Sequence, residues 1–457
     1  MDLQFLKRLL AHPTKIPILG ICYGFQLLAK HFGHEVKHLE RAEYGPDLLR
    51  IKSKHPLFDK IPQTPSQVWM SHADHVVLNA PKSVRILAES KGKTLAAVDF
   101  AKTETAPRIG VQFHPEVSHS THGRKMLHNF VKGICKAKPD WNPTQMLEDA
   151  NAHIQRDIVG PGHAGLCAVS GGVDSTVLAK LLASQCPKQV HFIHVDHGLG
   201  RHQESLEVVS HLRHTGVPVK LVRSVDLFLS RLKGIEDPEQ KRKIIGHTFV
   251  DVFEDYAKVH GLSHLIQGTL YPDKIESSPQ VGQSSVIKTH HNVGGLPKTM
   301  SLKVVEPFEH LYKDDVRKLG AVLKVPKSLL GRHPFPGPGL AIRILGEVSA
   351  ERLELLRACD HVMTEFLKKT KWYDQIWQSA CILLPVHSVG VKGDQRVYQP
   401  VVAIRCVMSE NAMTAQVSRI PTEILEDLAT LILNTVAGVG RVVYDISPKP
   451  PATIEWE

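Results

Sequence analysis

The sequence predicts a multidomain α/β protein that ends in a smaller α+β block. Short apolar runs of strand length alternate with helical patterns through the first two-thirds of the 457 residues, an alternation that favours parallel sheets. Two proline-containing breaks interrupt it, the second also rich in glycine. Beyond the second break, one long helical pattern stands beside strand-like runs instead. A chain of this length, 50.8 kDa, exceeds one ordinary domain.

The strand candidates in order are IPILGIC (16–22), IGVQF (109–113), LCAV (166–169), VHFIHV (190–195) and HLIQG (264–268). Buried strands have this length and this apolar continuity. Helical patterns such as STVLAKLLASQ (175–185) and ESLEVVSHLRHTG (204–216) lie between several of them, the latter closed by a glycine. The first break, KAKPDWNPTQ (136–145), reads as a linker. The second, GRHPFPGPGLA (331–341), excludes continuous helix or central strand. The blocks are therefore 1–138, 139–335 and 336–457. The third joins ERLELLRACDHVMTEFLKK (351–369) to the strand-like QPVVAIRCV and RVVYDIS.

With 42% hydrophobic and 22% charged residues, the composition is that of a globular protein rather than a disordered or fibrous one. No apolar run reaches 18 residues, so no membrane partner is expected. The opening MDLQFLKRLLAHPTKIP has basic residues but no long apolar stretch before a cleavage site, so no secretory signal is expected. Seven scattered cysteines without a C-x-x-C pair fit a reducing compartment, and the expected location is cytoplasmic. The net charge of +10 resides in residues 1–138, which carry 21 basic against 11 acidic residues. Those basic residues are spread singly, without interleaved aromatics, and read as solvated surface. No nucleic-acid partner is expected.

GICYG (20–24) follows strand-like IPIL and precedes helical FQLLAKHF. This is G-x-C-x-G, the thiol counterpart of the elbow that presents a nucleophilic serine. The flanking glycines allow the tight backbone of such an elbow. FHPE (113–116) places His114 and Glu116 two apart, on one face if the chain is extended, so that Glu116 orients His114 while His114 faces the thiol. Thiolate plus imidazole suits amide hydrolysis through a thioester. The strings GICYGFQLLAKHFGHEVKHLERAEYG, VWMSHADHV and GVQFHPEVSHS resemble the class I glutamine amidotransferases, which cut glutamine to glutamate and ammonia. Ala73 stands where that family usually has glycine, a minor departure.

A larger departure is expected at the front. Cys22 should end an interior strand of a doubly wound sheet, yet only 21 residues precede it, and each βαβ unit needs roughly 30. The resemblance therefore implies an incomplete doubly wound domain without its glycine-rich oxyanion loop. The Tyr23 amide remains as the other donor. Losing one donor costs on the order of 10²–10³ in rate, so poor or absent glutamine hydrolysis is expected.

SGGVDS (170–175) sits between strand-like LCAV and a helix. Two glycines and small hydroxyl residues let backbone N–H groups approach a polyphosphate at a helix N-terminus. Asp174 would repel phosphate unless a Mg²⁺ lay between them. There is no G-K-[ST], which sets it apart from loops that release the γ-phosphate. The motif resembles the PP-loop ATP pyrophosphatases, which cleave ATP between the α- and β-phosphates to adenylate a carbonyl oxygen. VDHGLGR (195–201) stands at that family's second strand end, with His197 in place of asparagine. His191, His194 and His197 straddle a strand and its exit and do not make a metal set. His290 and His291 read as part of a loop that folds over substrate.

An ammonia generator fused to a carbonyl-adenylating module implies amination, with ATP going to AMP and pyrophosphate. EQKRKIIGHTFV, IQGTLYPDKIES, KTHHNVGGLP, RHPFPGPGLAIRILGEV and SPKPPATIEWE resemble the glutamine-hydrolysing GMP synthase family, across nearly the whole chain. The resemblance implies that xanthosine 5′-monophosphate (XMP) is adenylated at its 2-oxygen and aminated to GMP, with glutamine or ammonia as nitrogen source. It implies a Cys22, His114 and Glu116 triad. Ser170, Gly171, Gly172, Val173, Asp174 and Ser175 would hold ATP, with Asp174 on Mg²⁺ and Lys288 as a further cation. Arg242, Gln378, Lys449 and Glu455 would contact XMP. Glu455 could accept from purine N–H groups or ribose hydroxyls. The proline-stiffened PPATIEWE reads as a docked tail. The third block resembles that family's dimerisation domain, which also closes the XMP site, so the resemblance implies a homodimer.

Rival readings are an ammonia-dependent XMP aminase with a disabled glutaminase, another PP-loop amidase such as an NAD synthetase, and a non-catalytic nucleotide- or nucleic-acid-binding protein. The second would not be expected to carry KPPATIEWE.

Overall fold

The strand-length runs assemble into three sheets in the computed structural model. It describes residues 3–11, 15–100, 106–117, 119–158, 164–277, 300–326, 329, 333–392, 394–409, 412 and 414–457. The chain divides into two units, Met1–Asp140 and Trp141–Glu457.

In the first unit the strands are β1 (Ile18–Ile21), β2 (Glu35–Ile51), β3 (Ser66–Val77), β4 (Arg85–Glu89), β5 (Leu95–Asp99) and β6 (Arg108–Val111). Their order is β1-β6-β5-β4-β2-β3, which leaves β1 at one edge among the described residues. Only β1 and β6 run parallel; the other neighbours are antiparallel. Parallel pairing, the mark of a doubly wound sheet, is thus confined to β1, the strand that leads into Cys22, and its neighbour β6. For β4 and β5 the physical reason is connection length. β4 and β5 are joined by residues 90–94 alone, closed by Ser90 N–H to the Thr94 carbonyl (2.9 Å), and so short a link permits only a hairpin. The Tyr23–His31 helix buries Phe25 and Leu28 against this sheet.

The second unit opens with a wholly parallel sheet, as the alternating pattern predicted. β7 (Gly165–Ala168), β8 (Val190–Asp196), β9 (Lys220–Arg223), β10 (His264–Ile266) and β11 (Lys303–Val305) lie in the order β11-β10-β7-β8-β9. Strand order reverses beside β7. At such a switch point a crevice opens outside the carboxyl ends of the strands, where ligands sit in folds of this kind. The SGGVDS loop leaves β7 there.

The third sheet is built on the long β12–β13 hairpin (Gln378–Lys392, Gln395–Met408), with β14 (Gln416–Val417) antiparallel and β15 (Arg441–Tyr444) parallel to β13. Leu353, Leu356, Cys359, Met363 and Leu367, at helical spacing along Ala350–Lys369, share one buried cluster with Val402 and Ile404 of β13 and with Leu166 and Ile193 of β7 and β8. Among the described residues no helix is long and apolar enough to cross a membrane.

Candidate functional site

The nucleophile position is set by backbone geometry. Cys22 sits between β1 and the Tyr23–His31 helix with φ 49° and ψ −104°, a conformation L-residues rarely adopt. Gly20 makes the elbow possible, because a Cβ there would lie 2.6 Å from the Gly24 backbone. Cys22 N–H donates to the Val111 carbonyl (2.8 Å), which extends the β1–β6 pairing to the cysteine. Its thiol donates to the Ser71 carbonyl and receives the Gln112 side-chain N–H, each at 3.7 Å.

His114 Nδ1 and Glu116 Oε1 are 2.6 Å apart. The pair forms differently from the expected route. Pro115 and Glu116 lie in a turn rather than an extended strand, so the turn and not strand alternation brings the carboxylate back to the ring. Three contacts fix that turn. His114 N–H donates to the Trp69 carbonyl (2.9 Å), Ser120 Oγ donates to the His114 carbonyl (2.6 Å), and Trp69 N–H donates to Ser120 Oγ (3.1 Å). Gly123 completes the seat, since a Cβ there would lie 1.9 Å from the Pro115 carbonyl oxygen. Hydrogen bonding to Cys22 and then to Glu116 pushes His114 up to about 10, against the opposing effect of burial. The imidazole is therefore held protonated beside the sulfur.

Neither Ser120 nor Gly123 was singled out from the sequence, because their work is support of the turn. Gly123→Ala is expected to displace Pro115 and separate Glu116 from His114. Glutamine hydrolysis should fall more steeply than thermal stability, which parallel activity and melting measurements on the variant would check.

VWMSHADHV and HLERAEYG pair across β3 and β2, with Glu43 opposite His72. The His72 side chain is 2% exposed, its Nε2 3.1 Å from Glu43 Oε2 and its Nδ1 2.9 Å from the Asp74 carbonyl.

In the second unit, the 170–175 loop closes on itself. Ser170 and Ser175 hydroxyls are 3.0 Å apart, Gly172 N–H donates to Ser170 Oγ (3.3 Å), and Gly171 has φ +87°. Val173 is buried, so only its backbone can face a ligand. Asp174 Oδ2 pairs with Lys313 Nζ at 2.9 Å, a residue that no motif pointed to. Asp174 Oδ1 is buried and has no hydrogen-bond partner among the described residues. A buried carboxylate oxygen left over after its ion pair is a site that fits a hard divalent cation. Lys288, with His290 and His291, lies outside the described residues.

Beyond β8, Asp196 Oδ1 takes hydrogen bonds from Gly198 N–H (3.3 Å) and Ser205 Oγ (3.2 Å). His197 packs beside Phe228 and Phe249, with ring centroids 5.7 and 5.3 Å away, and burial lowers its pKa to about 4. It is a neutral core residue. His194 bonds the Val169 carbonyl at 2.7 Å.

Three of the four residues expected to contact XMP come together around the 453–457 segment. Gln378 Nε2 donates to Glu455 Oε1 (2.6 Å), and Arg242 donates to the Glu457 carbonyl. Lys449 stands on a separate contact, donating to the Ala412 carbonyl (2.8 Å). Arg343, fully buried, grips Glu455 with two bonds. An arginine inside the apolar run LAIRIL was the available signal for it, because a charge amid apolar neighbours must find a buried partner.

Family models match three stretches of the chain: "Glutamine amidotransferase class-I" over residues 2–134, "PP-loop domain" over 145–274 and "GMP synthase C terminal domain" over 365–456. Curated glutamine-hydrolysing GMP synthases are close relatives. That of Aquifex aeolicus is 49% identical over 443 residues, covering 97% of this chain and 85% of that protein. Those of Nitratidesulfovibrio vulgaris and Campylobacter lari are 49% and 48% identical over the same shares of each chain. An identity this high, sustained across both nucleotide-loop and cysteine-elbow regions, means that the chain belongs to the glutamine-hydrolysing GMP synthase family of carbon–nitrogen ligases.

Proposed function

We propose that this chain converts XMP to GMP through an adenylyl-XMP intermediate, using ammonia released from glutamine at Cys22, His114 and Glu116. The observation that carries the reading is His114, bonded to Glu116 at 2.6 Å and set beside the Cys22 elbow, on the same chain as the Asp174 loop with its unpartnered buried carboxylate oxygen.

In the first half-reaction the Cys22 thiolate adds to the glutamine side-chain carbonyl. The oxyanion forms near the N-terminus of the Tyr23–His31 helix, whose leading amides have no intrahelical acceptor. The His114 imidazolium gives its proton to the departing ammonia. It then takes one from water, which attacks the thioester; glutamate is released as the sulfur leaves, restoring the thiolate–imidazolium pair.

In the second, the XMP 2-oxygen displaces pyrophosphate from the α-phosphorus of ATP. Ammonia then adds at C2, and AMP departs with the former 2-oxygen. Ser170, Gly171, Gly172, Ser175 and the Val173 backbone cradle the pyrophosphate, with Lys288 assigned by resemblance. Mg²⁺ bound at Asp174 would neutralise charge on the phosphate oxygens. Arg242 and Lys449 suit the monophosphate, while Gln378 and Glu455 face the nucleoside.

A homodimer fits the third sheet, where Val386, Val391 and Tyr398 stay 51%, 76% and 70% exposed on the hairpin. Seven unpaired thiols fit the cytoplasm.

The test is GMP formation by purified protein with XMP, ATP and Mg²⁺, given either glutamine or ammonium. GMP and AMP should appear in equal amounts, and only when XMP is present. Product with ammonium alone would assign the amination and leave the Cys22 site without turnover. No product from either source, in protein with a folded circular dichroism spectrum, would overturn the reading.

A further inference from the structure

Arg343 and Arg405 are the largest fully buried side chains described, and Arg343 lies outside the residues so far assigned to either nucleotide. Its Nε donates to Glu455 Oε2 at 2.9 Å and its Nη2 to Glu455 Oε1 at 2.8 Å, the parallel two-bond geometry that a guanidinium makes with a carboxylate. Gln378 Nε2 adds a third bond, to Oε1, at 2.6 Å. Burial alone would raise the Glu455 carboxyl, but the Arg343 charge and these bonds bring it below its ordinary value.

From this we infer that Arg343 is a positioning residue for the XMP site: it fixes the plane of the Glu455 carboxylate and, through it, the Gln378 amide, leaving Glu455 a single acceptor position for the nucleotide. The inference rests on the XMP reading of Gln378 and Glu455 above. A carboxylate offers about four lone-pair positions, and three of those on Glu455 are taken. Glu455 can then take one N–H or one O–H from the nucleotide, but it cannot grip two adjacent ribose hydroxyls.

A plain structural role would be to pin the 453–457 segment in place. That segment has other anchors. Arg405 donates to the Ile454 and Thr453 carbonyls (3.0 and 2.8 Å), Trp456 Nε1 to Asp445 Oδ2 (2.9 Å), and Lys241 Nζ to Glu457 Oε2 (2.5 Å). What Arg343 adds is the direction of one carboxylate. The remaining nitrogen, Nη1, is 3.7 Å from Asp360 Oδ1, too far for a hydrogen bond, and Asp360 Oδ2 is 3.3 Å from Arg201 Nε. Arg201 belongs to the VDHGLGR loop beyond β8. Two arginines and two carboxylates therefore balance charge between that loop and the XMP site, and the guanidiniums of both arginines lie near the Phe335 ring, at 4.7 and 5.2 Å.

The test compares steady-state kinetics of Arg343→Met, Arg343→Lys and Glu455→Gln with ammonium as nitrogen source. Docking of the segment is read separately from Trp456 emission, taken as the difference from Trp456→Phe. In Arg343→Met the KM for XMP should rise about 10–100-fold, the effect of losing hydrogen bonds to a charged group. The KM for ATP and the Trp456 signal should stay as in the wild type, and Arg343→Lys, which keeps the charge but not the fork, should fall between. The inference is overturned if Glu455→Gln weakens XMP binding while Arg343→Met does not. It is also overturned if both KM values rise together with loss of the Trp456 signal, which would leave Arg343 a structural pin. An unchanged KM for XMP in Glu455→Gln would instead remove the XMP assignment of Glu455, and the inference with it.

Discussion

Cys22→Ala should lower glutamine-dependent GMP formation by on the order of 10⁴–10⁶, as removal of a catalytic nucleophile does elsewhere, while the ammonium-dependent rate persists. Coupled assays with the two nitrogen sources would separate these effects, and equal loss of both would argue against Cys22 as the glutaminase nucleophile. The same variant should change the titration of His114. Cys22 is the leading support of the imidazolium that stands at about 10, so its removal should lower the His114 pKa, which can be read from the imidazole carbon shift by NMR. A histidine whose folded pKa is raised contributes stability that is present below about 6.5 and lost as pH climbs through the folded value. In the wild type that loss should extend towards pH 10, and in Cys22→Ala it should be complete at lower pH.

Asp174→Asn is expected to cut pyrophosphate release about 10²–10³-fold, because it removes the anionic oxygen that would hold the cation. The amide keeps the shape of the side chain, so the fold should survive. Excess Mg²⁺ should recover part of the rate, and the Mg²⁺ concentration for half-maximal pyrophosphate release should rise. Wild-type release at ordinary Mg²⁺ would remove Asp174 from the role. Lys313 sharpens this prediction, because its ammonium already occupies one oxygen of Asp174. A cation bound there would have to share that carboxylate with Lys313 or trade places with it.

How far each site was legible depends on how local its chemistry is. The Cys22 elbow and the Asp174 loop each lie within six residues, between a strand and a helix, and both patterns were readable without a structure. The His114–Glu116 pair was readable as a pair, but not its cause, because the extended-chain argument cannot foresee a turn held by Trp69, Ser120 and Gly123. Lys313 and Arg343 meet partners 139 and 112 residues away, and no periodicity records such encounters. The parallel sheet of the second unit followed from alternating strands and helices. In the first unit, the hairpin from β4 to β5 carried too weak a turn signal to predict the antiparallel strands beside β1 and β6.

The Lys241–Glu457 contact has a consequence for synthesis of the protein. Lys241 is fully buried, and its carboxylate partner lies 216 residues further along the chain. At about 5–20 residues per second, a ribosome leaves this ammonium without its counter-ion for roughly 10–40 s. Throughout that interval the surroundings of Lys241 must stay open to water, since enclosing an unpaired charge is costly. The packing around Lys241 and Glu457 is thus a late product of translation, and nascent chains stalled before residue 457 should be protease-sensitive around the Pro238–His260 helix even where the β7–β11 sheet has already formed.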